Sequence, residues 1–231
     1  MSNKNFFILL GIFIALGITS CTESSQNDTS SDESSIYSES ASDSFEDKLS
    51  QYEREDRVFW QKPDLVIDKL GDLSDKVVAD IGAGSGYFST RLAPRSKSII
   101  AIDIDQKFVD YIDSLKTTLP TSIQSKIQTR LTDPSKSGLK NEEADVAIMV
   151  NTYMYIRNRV NYLEKLNEAL SSKGRVLIVD FKKKRIPVDQ PGAKARIPLY
   201  IVENELIKAG FKIIDSDDRS LAYQYIILAE K

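Results

Sequence analysis

The chain of 231 residues contains no histidine and a single cysteine, Cys21. Without histidine there is no imidazole base near neutral pH, no imidazole metal ligand and no Ser-His or Cys-His nucleophile pair, which excludes much hydrolase chemistry. One cysteine cannot close an intramolecular disulfide or build a cysteine-based metal site. Residues 22–47 lack basic side chains while holding eight of the 34 acids, which leaves residues 48–231 with 30 basic and 26 acidic side chains. So small a positive excess suits an anionic small molecule or a membrane surface and gives no ground for expecting nucleic acid. With 41% apolar and 28% charged residues, the composition is otherwise that of an ordinary globular domain.

Long apolar runs are also scarce. One, Phe6–Ile18, covers thirteen residues behind Lys4. It is short for a membrane span and has the length of a signal-peptide core. Lys4 before it and acids after it predict that the N-terminus stays inside while the rest crosses. The run leads into "LGITSC", which resembles the bacterial lipoprotein signal, where a small residue precedes a cysteine that is lipidated. The expectation is a lipoprotein-type signal peptide over residues 1–21, with lipidation at Cys21 anchoring an exported protein to a membrane. The stretch from Thr22 to Ser44 holds ten serines and almost nothing to bury. Such a segment cannot offset its ordering entropy, so residues 22–47 read as a disordered Ser/acidic linker and 48–231 as the folded domain.

In the folded part, Phe45 to Gln61 reads as one amphipathic helix, and Pro63 opens a short helix closed near Gly71. Five apolar, β-rich runs follow: Val77–Ile81, Ser98–Asp103, Ile127–Leu131, Asp145–Val150 and Arg175–Asp180. Helical patterns lie between several of them, at Tyr87–Ala93, Gln106–Leu119 and Arg157–Leu170. Continuous apolar strands separated by helices predict a parallel sheet covered on both faces. A further helix at Val202–Ala209 precedes Phe211–Asp215 and Tyr223–Ala229, a closing antiparallel pair. The fold class expected is α/β: a Rossmann-like, doubly wound, mostly parallel seven-stranded sheet with an N-terminal helical cap.

The most informative stretch is "VVADIGAGSGYFSTRLA", Val77–Ala93. Alternating glycines between a strand and a helix let the backbone turn sharply and approach a ligand. The spacing is not the G-x-G-x-x-G of a dinucleotide loop, and Asp80 ahead of Gly82 would repel a phosphate while suiting an ammonium group. At the end of the next strand, "AIDID" sets Asp103 to accept hydrogen bonds from a ribose diol. Together these residues imply a nucleoside with a cationic tail and no phosphates.

With "RLTDPS", "ADVAIMVNTYMYI", "GRVLIVDFKK" and "VENELIKAGF" following in order, the two stretches resemble the class I S-adenosylmethionine-dependent methyltransferases from about Arg57 to Lys231. The resemblance implies S-adenosyl-L-methionine as cofactor. Asp80, Gly82, Ala83, Gly84 and Gly86 would hold its methionine end. Asp103 would take the ribose hydroxyls, Ile104 the adenine face and Asp133 the neighbourhood of the adenine amino group. Asn151 would line the site near the methyl group. Tyr153 and Tyr155 are the candidate catalytic residues, with Asp180 a further candidate proton acceptor. Relatives often carry a histidine pair where this chain has Met154 and Tyr155, so a family-typical acceptor or base is not implied. The basic loop at 182–196, with Lys182, Lys183, Lys184, Arg185, Lys194 and Arg196, could face an acidic small molecule or lipid. The function expected is methyl transfer to a small or membrane-associated acceptor. The alternative is a membrane-anchored lipoprotein that keeps the fold as a non-catalytic binding module, since an exported protein meets no obvious supply of the cofactor.

Overall fold

A computed structural model describes residues 44–188 and 191–231. The expected signal peptide, Cys21 and most of the linker lie outside them. Residues 44–47 belong to the fold and not to the linker: Ser44 caps α1 (Phe45–Tyr52), its Oγ accepting from the Asp47 amide at 3.1 Å while the Asp47 carboxylate accepts from the Ser44 amide at 3.3 Å. That reciprocal pair satisfies two backbone donors that the first helical turn leaves unbonded.

The single helix expected to Gln61 is broken. Between α1 and α2 (Arg57–Gln61), Arg54 and Asp56 pair at 2.7 Å, and the chain turns so that Arg57 and Gln61 point inward. Next come α3 (Pro63–Asp68), β1 (Val77–Ile81), α4 (Tyr87–Leu92), β2 (Ser98–Asp103), α5 (Gln106–Lys116), α6 (Thr121–Gln124) and β3 (Ile127–Leu131). They are followed by β4 (Ala144–Val150), α7 (Arg159–Ala169), β5 (Leu170–Phe181), α8 (Leu199–Lys208), β6 (Lys212–Asp217) and β7 (Gln224–Glu230).

The seven strands form one sheet in the order β3-β2-β1-β4-β5-β7-β6. β7 pairs antiparallel with both of its neighbours, and the remaining pairings are parallel. Side chains alternate between the faces, so the Val- and Ile-rich strands feed two cores. Val78, Ile99, Val146, Leu177 and Ile226 pack beneath α3, α4 and α5, whereas Ala79, Ile100, Ala147, Ile178 and Ile227 pack beneath α7 and α8. Connections from β1 lead to one side of the sheet and those from β4 to the other. Their carboxyl ends therefore flank the switch point at which doubly wound sheets form a ligand crevice. Running backwards, β7 begins at this same rim, with Gln224 opposite Phe181.

Candidate functional site

The loop after β1 is fixed by its own backbone. The amides of Gly82 and Ala83 both donate to the Ile102 carbonyl, at 2.8 and 3.0 Å, folding the loop over the end of β2. Gly82 and Gly84 both have positive φ, +73° and +54°. A Cβ on Gly82 would lie 2.3 Å from Thr152 Oγ1, and one on Gly84 would lie 2.9 Å from the Tyr52 ring. The glycines thus answer first to a threonine beyond β4 and to an aromatic ring of α1. That α1 sits over the loop is a matter of aromatic packing: Phe45 and Tyr52 lie 5.0 and 5.3 Å from Phe108 of α5, centroid to centroid.

Asp103 ends β2 almost fully buried. One oxygen accepts from the Gly84 amide at 2.8 Å and the other from the Asp105 amide at 3.0 Å. Burial raises its pKa, against the pull of those backbone bonds. Ile104 next to it is half exposed, an apolar surface beside the carboxylate. Asp80 lies below the loop, wholly buried, accepting from Ser89 Oγ of α4 at 2.6 Å. Desolvation pushes its pKa up to about 6, with the nearby Asp103 charge adding to the rise and the Arg57 charge opposing it. Asp80 therefore braces α4 against the loop as well as lending charge to it. Ser85 Oγ and Tyr87 OH are buried here without a hydrogen-bond partner among the described residues.

Arg57 was not singled out in the sequence. Its guanidinium lies 4.1 Å above the Tyr87 ring, donates to the Tyr52 carbonyl, and donates through Nε to Gln61 Oε1. Gln61 Nε2 donates to Gln224 Oε1 at 3.0 Å, and Gln224 Nε2 donates to Asn151 Oδ1. Desolvation lowers the Arg57 pKa to about 10. Nothing local marks this set in the sequence; the one hint is that Gln224 opens an otherwise apolar strand.

Asn151 follows β4 in the left-handed region, φ +59°, with its amide held by the Val179 carbonyl at 2.8 Å. The neighbouring Tyr153 is a correction to the sequence reading. It has no exposed surface, its ring belongs to the core beneath α7 and α8, and its OH donates to Glu205 Oε2 at 2.8 Å. Arg159 grips the same carboxylate through two nitrogens, so Tyr153 braces α8 and does not line the crevice. Tyr155 stays at the rim, partly exposed, with burial pushing its phenol up to about 12 and the Tyr52 and Asp180 charges adding to the shift. A phenol of that pKa is a poor base at neutral pH.

Asp180, the last residue but one of β5, is almost without exposure. Its Oδ2 accepts from the Met154 amide at 3.0 Å, while Oδ1 is buried with no partner among the described residues. Desolvation drives its pKa to about 8. Asp133 is exposed in the turn after β3, where its Oδ1 accepts from the Ser135 amide at 2.8 Å and hydroxyl at 2.6 Å. It stabilises that turn, and hydrogen bonding by Ser135 lowers its pKa. In the basic loop, Arg196 is buried and donates to the Pro191, Val188 and Lys184 carbonyls, so it folds the loop and offers no charge to solvent. Lys182 is half-buried with its Nζ donating to the Leu221 carbonyl, whereas Lys183, Lys184, Arg185 and Lys194 are exposed. No group of His, Cys, Asp or Glu able to hold a metal occurs among the described residues, and no helix among them is long and apolar enough to cross a membrane.

Comparison with known proteins agrees with this geometry. Residues 79–178 match the family profile described as "Methyltransferase domain". An uncharacterized methyltransferase of Schizosaccharomyces pombe is 24% identical over 140 residues, 58% of this chain and 49% of that protein. The chain spans about half the length, or less, of the curated relatives it matches. Among solved structures, a SAM-dependent methyltransferase from Aquifex aeolicus superposes with a TM-score of 0.73 at 19% identity, covering 79% of this chain and 96% of that one. The 4+2-cyclase SpnF superposes with a TM-score of 0.63 at 15% identity, covering 74% and 80%. The fold is the one these methyltransferases share, and residues 79–178 carry the match to the methyltransferase profile.

Proposed function

We propose that this chain, built around a methyltransferase domain, transfers a methyl group from S-adenosylmethionine to a small or membrane-associated acceptor. The observation that carries the reading is Asp103: a buried carboxylate at the carboxyl end of β2, fixed by the Gly84 and Asp105 amides. Each of its oxygens accepts one backbone N–H and keeps a lone pair for a ribose hydroxyl. The residues present fit the cofactor. The hydroxyls of Ser85 and Tyr87 are orphaned beside the glycine loop, and Ile104 offers an apolar face for adenine.

When bound, the cofactor would supply a methyl carbon already activated by its sulfonium. The remaining work falls to positioning and exclusion of water. Asp103 and the glycine loop would orient the nucleoside, and Tyr52 would close over the loop. Asn151 and Tyr155 would stand on the acceptor side. Tyr153 is left out of that role, and a chain without histidine suits an acceptor that needs no strong base. A fold that also serves a cyclase does not by itself guarantee methyl transfer, so the cofactor is the first thing to test. In calorimetric titration the chain should bind S-adenosylmethionine and S-adenosylhomocysteine, and not NAD. Asp103→Ala should weaken that binding by about 1.5–3 kcal/mol, the range for hydrogen bonds to a charged group. Equal affinity of both proteins would remove the assignment.

The same proposal includes a membrane tether at Cys21, supported by the apolar run, "ITSC" and the charge asymmetry around Phe6–Ile18.

A further inference from the structure

The polar chain from Arg57 to Asn151 has a direction. Arginine carries donors and no acceptor, so Gln61 must turn its Oε1 towards Arg57. Its Nε2 then faces Gln224, whose Oε1 accepts at 3.0 Å. Gln224 Nε2 is left to donate to Asn151 Oδ1. Gln61 and Gln224 have no exposed surface, so reversing either amide would set donor against donor or acceptor against acceptor out of reach of water. The guanidinium therefore dictates the orientation of an amide three side chains away. Asn151 Oδ1 is turned towards Gln224, from which it accepts, and its Nδ2 bonds no other described residue. The two arms of a planar amide diverge, so Nδ2 lies away from Gln224, on a half-buried residue at the rim between β1 and β4.

We propose that Asn151, oriented by this relay, is a specificity-determining residue that presents N–H donors to the reacting site and selects an acceptor bearing an oxyanion, a carboxylate or phenolate, over one bearing an ammonium group. This deepens the methyl-transfer reading and rests on it for the meaning of "acceptor". Arg57, Gln61 and Gln224 are positioning residues that act through Asn151. The exposed Lys183, Lys184 and Arg185 give the approach a sign that agrees with an anionic ligand.

The acceptor is unidentified, so the probes are benzoate and benzylammonium, matched in size and opposite in hydrogen-bonding sense. They are titrated into the full chain by NMR with and without S-adenosylhomocysteine. Wild type should bind benzoate at least tenfold more tightly than benzylammonium and shift the Asn151 side-chain amide signals on doing so. Gln224→Glu replaces the donor that Asn151 meets by an acceptor; Asn151 must then turn its NH2 inward and its oxygen outward. Asn151→Asp keeps the bond from Gln224 and sets a second oxygen towards the crevice. Each variant should lose the preference for benzoate by at least tenfold and gain in relative affinity for benzylammonium. A purely structural role would weaken both probes together and leave their ratio unchanged. Equal binding of the two probes by wild type, or an unchanged ratio in both variants, would overturn the inference. Selection of benzoate by a chain that fails to bind S-adenosylhomocysteine would support the donor site while refuting the cofactor assignment, so the two failures are distinct.

Discussion

Gly82→Ala offers a direct test of the close approach behind the glycine loop. Two costs arise from one methyl group. An alanine held at φ +73° pays about 1–2 kcal/mol for the left-handed conformation. Its Cβ would also sit 2.3 Å from Thr152 Oγ1 and 2.5 Å from Thr152 Cγ2, an overlap that must shift one segment or the other. Overpacking of that kind costs about 1–3 kcal/mol, so the total should reach about 2–5 kcal/mol. Gly71→Ala isolates the first cost, because Gly71 has φ +71° and nothing within 4 Å of the added atom. Thr152→Ala removes the two closest atoms and leaves the threonine Cβ at 3.0 Å, so the double variant should recover most of the overlap. Urea unfolding of the two single variants and the double one, read as midpoint shifts at constant slope, gives a coupling energy. A coupling of about 1–3 kcal/mol is expected. A value near zero, or a Gly82→Ala no worse than Gly71→Ala, would refute the packing account and return the glycine to a ligand-driven explanation.

Asp180 holds its proton to about pH 8 when folded, against an ordinary carboxyl value of 3.8. The unfolded chain releases that proton first, so this residue makes stability fall as pH rises between those values. Asp180→Asn should therefore gain about 1–3 kcal/mol on wild type between pH 5 and pH 8 in denaturant melts; a difference that does not vary with pH would contradict it. Tyr153→Phe should lower stability by about 1–2 kcal/mol through the lost bond to Glu205, with S-adenosylmethionine affinity unchanged. Normal stability with impaired cofactor binding or turnover would put Tyr153 back at the site. Wild-type protein should take a fatty-acid label in the source cell and fractionate with membranes while Cys21→Ser does neither; an unlabelled cytosolic wild type would end the lipoprotein reading.

The strands were legible because runs such as "SIIAID" and "ADVAIMV" are apolar enough to be buried on both faces, and helical periodicity breaks cleanly between them. The glycine loop and Asp103 were legible for the same reason: strand ends place them. What could not be read was direction. "NTYMYI" does not say which tyrosine turns towards α8, because Tyr153–Tyr155 form a single 3-10 turn, too short for periodicity to assign a face. The break between α1 and α2 depends on Arg57 and Gln61 finding buried partners, and Gln224 lies 163 residues beyond Gln61. The glycines were read for close approach, but that Thr152 and Tyr52 crowd them could not be read from the local sequence.

The reversed strand has a consequence for how far this domain can be divided. An antiparallel strand enters a sheet where its neighbours leave it, so β7 hands its first residue to the rim that every parallel strand reaches with its last. Gln224 comes from that reversal, and Arg57 and Gln61 come from helices ahead of β1. None of the three lies within residues 79–178, the part that matches the methyltransferase profile. That part holds the glycine loop but not the side chains that Asn151 meets through Gln224. Grafted onto another chain or trimmed to its minimum, it would keep its glycine loop and lose Tyr52, Arg57, Gln61 and Gln224 from around it, so the two ends of this chain are where relatives with the same central segment can diverge in what they accept.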